Sequence, residues 1–166
     1  MSAVTPPRVV VAAVGSTLRG DDGAGPAVLD RARGRLGPAE LLVPLATPLD
    51  LLGAWDGAEL AVVVDAVRTG GPPGVLHVAE LGPEARPTGG GTARRAGSHG
   101  LGVVEVLRLS RALGTAPERV VVVGIAGADF SPGAGLSPAV AGAVERAAQR
   151  VVDAVRAVPR PAGDAT

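Results

Sequence analysis

Three apolar runs organise this chain, and each gives way to glycine or aspartate. Val9–Val14 (VVVAAV) has no polar position on either side of an alternating pattern. It therefore reads, within residues 8–14, as a strand buried on both faces, the kind found inside parallel sheets. Glu59–Val67 (ELAVVVDAV) has the same character, with Asp65 standing where the strand should end, and Arg119–Ile125 is the third. Glu40–Leu45 reads as a shorter strand, and the alternation over Val75–Leu81 as an added edge strand. Between these runs the period becomes helical. A helix is expected over 22–36, with Ala27, Val28, Leu29 and Leu36 on its apolar side. A brief one over 48–54 has Thr47 as cap, Pro48 in its first turn, and Leu49, Leu51 and Leu52 covering the sheet. Leu101–Leu113 carries Leu101, Val104 and Leu107 at helical spacing, with Val103 and Val106 beside them. The last helix runs from Pro138 to Val158 behind a Ser137 cap, with Val140, Val144, Ala147, Val151 and Val155 on one face.

Strands alternating with helices predict an α/β fold. The expected form is a three-layer α/β/α domain whose mainly parallel central sheet has about five strands plus a short edge strand. One domain is expected over 8–158, after a flexible lead-in (1–7) and before a disordered tail (159–166). Residues 82–97 (GPEARPTGGGTARRAG) have no period and read as a mobile loop that could close over a substrate, or simply as a solvated one. If the first and third strands are neighbours, a crevice opens at their carboxyl ends.

Val9–Gly25 (VVVAAVGSTLRGDDGAG) is strand, glycine turn, short loop and helix start, the position a phosphate-binding loop would occupy. Gly15 and Gly20 have part of the Walker spacing, but Asp21 and Asp22 stand where Lys and Ser/Thr should be. Two carboxylates there would repel a phosphate by about 1 kcal/mol or more each. The loop suits a cation better than an anion, although either Asp would also serve as a simple helix cap.

Composition narrows the chemistry. The 166 residues carry 16 basic and 16 acidic side chains for zero net charge, so neither nucleic acid nor an anionic membrane is an expected partner. Every basic residue is Arg, a coding bias without functional meaning. Cysteine is absent, which excludes disulfides, a thiol nucleophile and thiolate ligands, so any metal must be held by oxygen and imidazole. Trp55 and Phe130 are the only aromatics, which argues against a base-stacking module. No charged segment with a long apolar core opens the chain and no run approaches a membrane span, so a cytoplasmic location is expected.

The residues that remain are Asp22 after the first strand, Asp65 in the third, and His99 at the end of the long loop. Two carboxylates and an imidazole make a three-ligand set for a divalent transition metal with positions left open. Each also has a plainer role: a cap for Asp22, a turn for Asp65, a solvated loop residue for His99. His77, inside the edge strand, reads as structural, and Asp129 as a turn former. No GxSxG is present, and Ser98 beside His99 is poorly placed for proton transfer.

Four segments together, GSTLRGDDGAG, VVVDAV, SHGLG and VVVGI…F…GAGLSPAVAGAV, resemble the hydrogenase maturation proteases, in order and over residues 8–156. The resemblance implies an endopeptidase that removes the C-terminal extension of the nickel–iron hydrogenase large-subunit precursor after nickel insertion. It places the family's metal-contacting and catalytic positions on Asp22, Asp65 and His99. The metal is nickel, supplied by or shared with the precursor, because a set without thiolates would hold it only modestly. Bound nickel would then act as a checkpoint for cleavage. The expected enzyme is a monomer whose partner is that precursor, with no nucleic acid and no membrane. The alternatives are a non-catalytic metal-sensing scaffold or chaperone on the same fold, and a nucleotide-binding α/β enzyme. Two departures from the family pattern stand out: Ser16 where Asn is common, and Ala126-Gly127 where an acid or amide precedes proline.

Overall fold

The structure is a computed structural model that describes residues 7–37, 40–81 and 102–159. The strands are β1 (Val9–Val14), β2 (Glu40–Leu45), β3 (Leu60–Val67), β4 (Leu76–Leu81) and β5 (Arg119–Ala126). The helices are α1 (Ala24–Arg33), α2 (Leu51–Ala54), α3 (Val103–Leu113) and α4 (Pro138–Arg156). The five strands form one sheet in the order β2-β1-β3-β5-β4. The first four are parallel, and β4 runs antiparallel along the edge of β5. β1 and β3 are neighbours, so the chain leaves β1 in one direction and continues past it in the other. Such a reversal opens a crevice at the carboxyl ends of the two central strands.

Alternation along β1 and β3 divides the interior in two. Val9, Val11, Ala13, Val62 and Val64 face α1 and α4, joined by Val28, Leu29, Ala143, Ala147 and Val151. Val10, Ala12, Val14, Ala61 and Val63 face α2 and α3, joined by Leu51, Trp55, Val106 and Leu107. Every residue of β1 and β3 is buried, as the unbroken apolar run of β1 requires, and in β3 this includes Asp65. With Trp55 and Phe130 as its sole aromatics, the core closes chiefly by bringing small residues together. Gly25 shows this best: a Cβ there would lie 2.8 Å from the Val14 carbonyl oxygen and 3.0 Å from that of Val64. The first turn of α1 therefore rests directly on the ends of β1 and β3. On the opposite side Trp55 Nε1 donates to Ser110 Oγ at 2.9 Å, satisfying the buried indole. Among the described residues no helix is long and apolar enough to cross a membrane.

Several local expectations shift. α1 starts at Ala24 behind a 3-10 turn (Gly20–Gly23), and neither Asp21 nor Asp22 caps it, because both carboxylates are engaged elsewhere. Asp65 does not end its strand, since β3 continues through Val67 in register with Ala126. α3 buries Val103, Val106, Leu107 and Ser110 while Val104 is exposed. Its sequence offers two overlapping apolar stripes, and the Trp55 layer beneath selects one. Leu51 is buried but Leu49 points to solvent. Ser137 is at the N-cap position of α4, yet its hydroxyl is spent on Asp21 rather than on the helix. The expected lead-in and tail and the 82–97 loop with Arg86, Arg94 and Arg95 lie outside the described residues, Pro7 and Pro159 apart.

Candidate active site

The crevice is built from the turn that follows β1. Gly15 has φ +134°, and a Cβ on it would stand 2.1 Å from the backbone oxygen of Asp22 and 3.2 Å from Asp22 Oδ1. Only a residue without a side chain lets the loop fold back so closely. The Ser16 N–H then donates to Asp22 Oδ2 at 2.8 Å. Asp22 Oδ1 has no hydrogen-bond partner among the described residues. The half-buried Asp22 thus hangs over the end of β1, with one oxygen held and the other open.

Asp65 reaches the same place from the sheet. Its register partner on β1 is Val14, the residue immediately before Gly15. It is 3% exposed, an unusual setting for a carboxylate in an otherwise apolar strand. Alternation puts it on the face of Ala61 and Val63, the side that α3 covers. The two acids the sequence singles out are therefore brought to one end of the two central strands. His99, the third, and Ser98 lie outside the described residues, as does all of SHGLG but Gly102. Among the described residues no three His, Asp or Glu side chains gather to hold a metal.

Pairing also reveals a relation that sequence inspection missed. Val14, Asp65, Gly124 and His77 form a single row across β1, β3, β5 and β4. His77 stands two strand spacings from Asp65, about 10 Å, beyond hydrogen-bond reach. It is exposed on the edge strand.

Asp21 has a different office from its neighbour. It is fully buried, and its Oδ2 accepts the N–H groups of Ala128 (2.7 Å) and Asp129 (2.9 Å) and the Ser137 hydroxyl (2.9 Å). Its Oδ1 accepts the Ser137 N–H at 2.7 Å. In return its own N–H donates to the Asp129 carbonyl at 2.7 Å. Burial alone would raise this carboxyl. The N–H groups of Asp129, Ala128 and Ser137 and the Ser137 hydroxyl outweigh it and hold the group below its ordinary value. Asp129 is the turn former expected, its Oδ1 accepting the Ser131 N–H at 2.9 Å. Beside it Phe130 carries the Arg68 guanidinium 4.6 Å above its ring. Both departures from the family pattern have local partners. Gly127 donates its N–H to the Val67 carbonyl at 2.9 Å, a bond that proline would forfeit, and the Ser16 hydroxyl accepts the Leu18 N–H at 3.2 Å.

Fold and crevice define an open α/β domain that presents carboxylates at its switch point. The profile of the hydrogenase maturation protease family matches residues 46–154. The hydrogenase expression/formation protein HupD of Rhodobacter capsulatus is 32% identical over 161 residues, covering 95% of this chain and 75% of that protein. The hydrogenase 2 maturation protease of Escherichia coli K12 is 27% identical over 164 residues, covering 93% of this chain and 98% of that one. The solved structure of the hydrogenase maturating endopeptidase HybD from E. coli superposes with a TM-score of 0.74 at 25% identity, over 90% of this chain and 92% of that one. This chain belongs to the hydrogenase maturation protease family.

Proposed function

We propose that this protein is the endopeptidase that removes the C-terminal extension from the large-subunit precursor of a nickel–iron hydrogenase after nickel insertion. The observation that carries the reading is the meeting of Asp22 and Asp65 at the switch point of a maturation-protease sheet. In this reading Asp22, Asp65 and His99 engage the nickel that the precursor carries, and so align the scissile bond with the crevice. Asp22 contributes the oxygen that Ser16 leaves open. Asp65 contributes a carboxylate whose position the sheet fixes. Hydrolysis then consumes one water: its oxygen bonds to the scissile carbonyl carbon, the C–N bond breaks, and its proton passes to the leaving amine. The nickel is part of the substrate, so a precursor without it docks poorly and stays uncut. The same reading places the reaction in the cytoplasm and has the protease act as a monomer.

The test mixes the protein with nickel-loaded and nickel-free precursor and weighs the products by mass spectrometry. Trimming of the loaded form alone is expected, and it is lost in Asp22→Ala. Equal trimming of both forms refutes the checkpoint. Trimming of neither, with partner assembly still promoted, establishes a scaffold instead.

A further inference from the structure

The bonds that hold Asp22 are internal to its own loop: Ser16 N–H to the carboxylate Oδ2, and the Asp22 backbone N–H to the Arg19 carbonyl at 3.1 Å. They would move with the loop and cannot by themselves set its place over the sheet. The Gly15 N–H, donating to the Leu45 carbonyl at 3.1 Å, ties only the start of the loop to the sheet and does not by itself set the place of Asp22. That place is set one residue earlier. Four hydrogen bonds converge on the Asp21 carboxylate from Ala128, Asp129 and Ser137, at the far end of the chain. Three backbone bonds run alongside: Gly20 N–H to the Ala134 carbonyl (3.0 Å), Asp21 N–H to the Asp129 carbonyl (2.7 Å) and Gly133 N–H to the Leu18 carbonyl (2.8 Å). Ser137 forgoes capping its own helix in order to reach Asp21, so the start of α4, a 19-residue helix packed on α1, anchors the clasp.

We propose that Asp21 is a positioning residue. Its buried carboxylate fastens the loop 15–22 to the segment 127–137 and thereby holds Asp22 at the crevice. This rests on the functional reading above for its kinetic effect but not for its structural one. A charged, fully hydrogen-bonded side chain is a costly thing to bury merely to close a loop, and an apolar residue would fill the same space. What the carboxylate adds is direction: four donors determine where it sits, and its neighbour along the chain inherits that placement. Partners that orient a ligating side chain from behind, when removed, typically cost ten- to a hundredfold in affinity or activity.

The test compares Asp21→Asn, Ser137→Ala and Asp22→Asn in the full chain, each with its melting temperature. Asp21→Asn is expected to speed amide exchange at Ser16 by about tenfold or more, the size set by weakening charge-assisted hydrogen bonds that oppose local opening, while α4 amides such as Val151 keep their protection. Against nickel-loaded precursor it reproduces, at smaller size, the division of loss between kcat and KM seen in Asp22→Asn. Ser137→Ala removes one of the four bonds, keeps the fold, and loses about fivefold. A lower melting temperature with kcat and KM unchanged, or an exchange increase spread evenly over the molecule, overturns the proposal and leaves Asp21 as a stabilising residue only. If the unaltered chain cuts no precursor, the functional reading fails, and exchange at Ser16 still decides the role of Asp21.

Discussion

Gly15→Ala tests the crevice at the point where backbone and site meet. The added methyl would lie 2.1 Å from the Asp22 backbone oxygen, against the 3.4 Å at which ordinary contact begins, so that carbonyl must retreat by about 1.3 Å. The residue must also adopt φ +134°, a strain of about 1–3 kcal/mol for a side-chain-bearing residue. For a domain of this size each kcal/mol lowers the melting temperature by about 2–4 °C. A displacement of about 1 Å at a positioned group costs about a hundredfold in rate. The variant is therefore expected to melt several degrees lower and to process nickel-loaded precursor about a hundredfold more slowly. Gly114→Ala separates the two causes. Gly114 ends α3 at φ +73° with nothing within 4 Å of the added carbon, so it carries backbone strain without a collision. Gly114→Ala should lose less stability, about 1–2 kcal/mol of left-handed backbone strain alone, and keep processing. Melting curves and single-turnover cleavage of both variants, read by mass spectrometry, supply the comparison. Wild-type cleavage by Gly15→Ala, or an equal loss in Gly114→Ala, would refute the reasoning.

His77→Ala should leave processing within about twofold, because two strand spacings, about 10 Å, separate it from Asp65 in their common row. A large loss would bring His77 into the site. The Asp21 carboxyl is held below its ordinary value of 3.8, so its stabilising contribution is whole above that value and is lost as pH falls through the lower folded-state value. Asp21→Asn should accordingly flatten the acid limb of stability in urea unfolding, and a limb parallel to that of the wild type contradicts the assignment.

The layered α/β architecture was legible because strand burial leaves a direct mark: a strand covered on both faces is almost wholly apolar, and Val9–Val14 has no polar residue at all. Helix faces were less legible. In α3 the residues 103, 104, 106 and 107 are all apolar, so periodicity alone allows more than one orientation. Asp22 and Asp65 could be singled out because carboxylates at the ends of apolar runs are conspicuous. Asp21 was visible only as half of an acidic pair. Its partners lie more than a hundred positions away, at Ala128, Asp129 and Ser137, and they bond through backbone N–H groups that every residue but proline carries. No pattern of side chains announces such a bond. A Ser-Pro at the head of an apolar helix signals a cap, and that local signal pointed away from the long-range contact the hydroxyl makes.

By itself the order of residues determined which segments form a buried sheet, which acids stand at the ends of its apolar runs, and that without cysteine any metal meets oxygen and nitrogen alone. These follow from burial and chemistry that each residue carries wherever it goes. Tertiary structure alone decided that β1 lies beside β3, that Val14 and Asp65 share a row, and that one aspartate of an adjacent pair faces the crevice while the other is locked beneath it. Adjacent side chains are chemically alike until packing gives them different surroundings, and here the clasp between residues 18–21 and 127–137 supplies the difference.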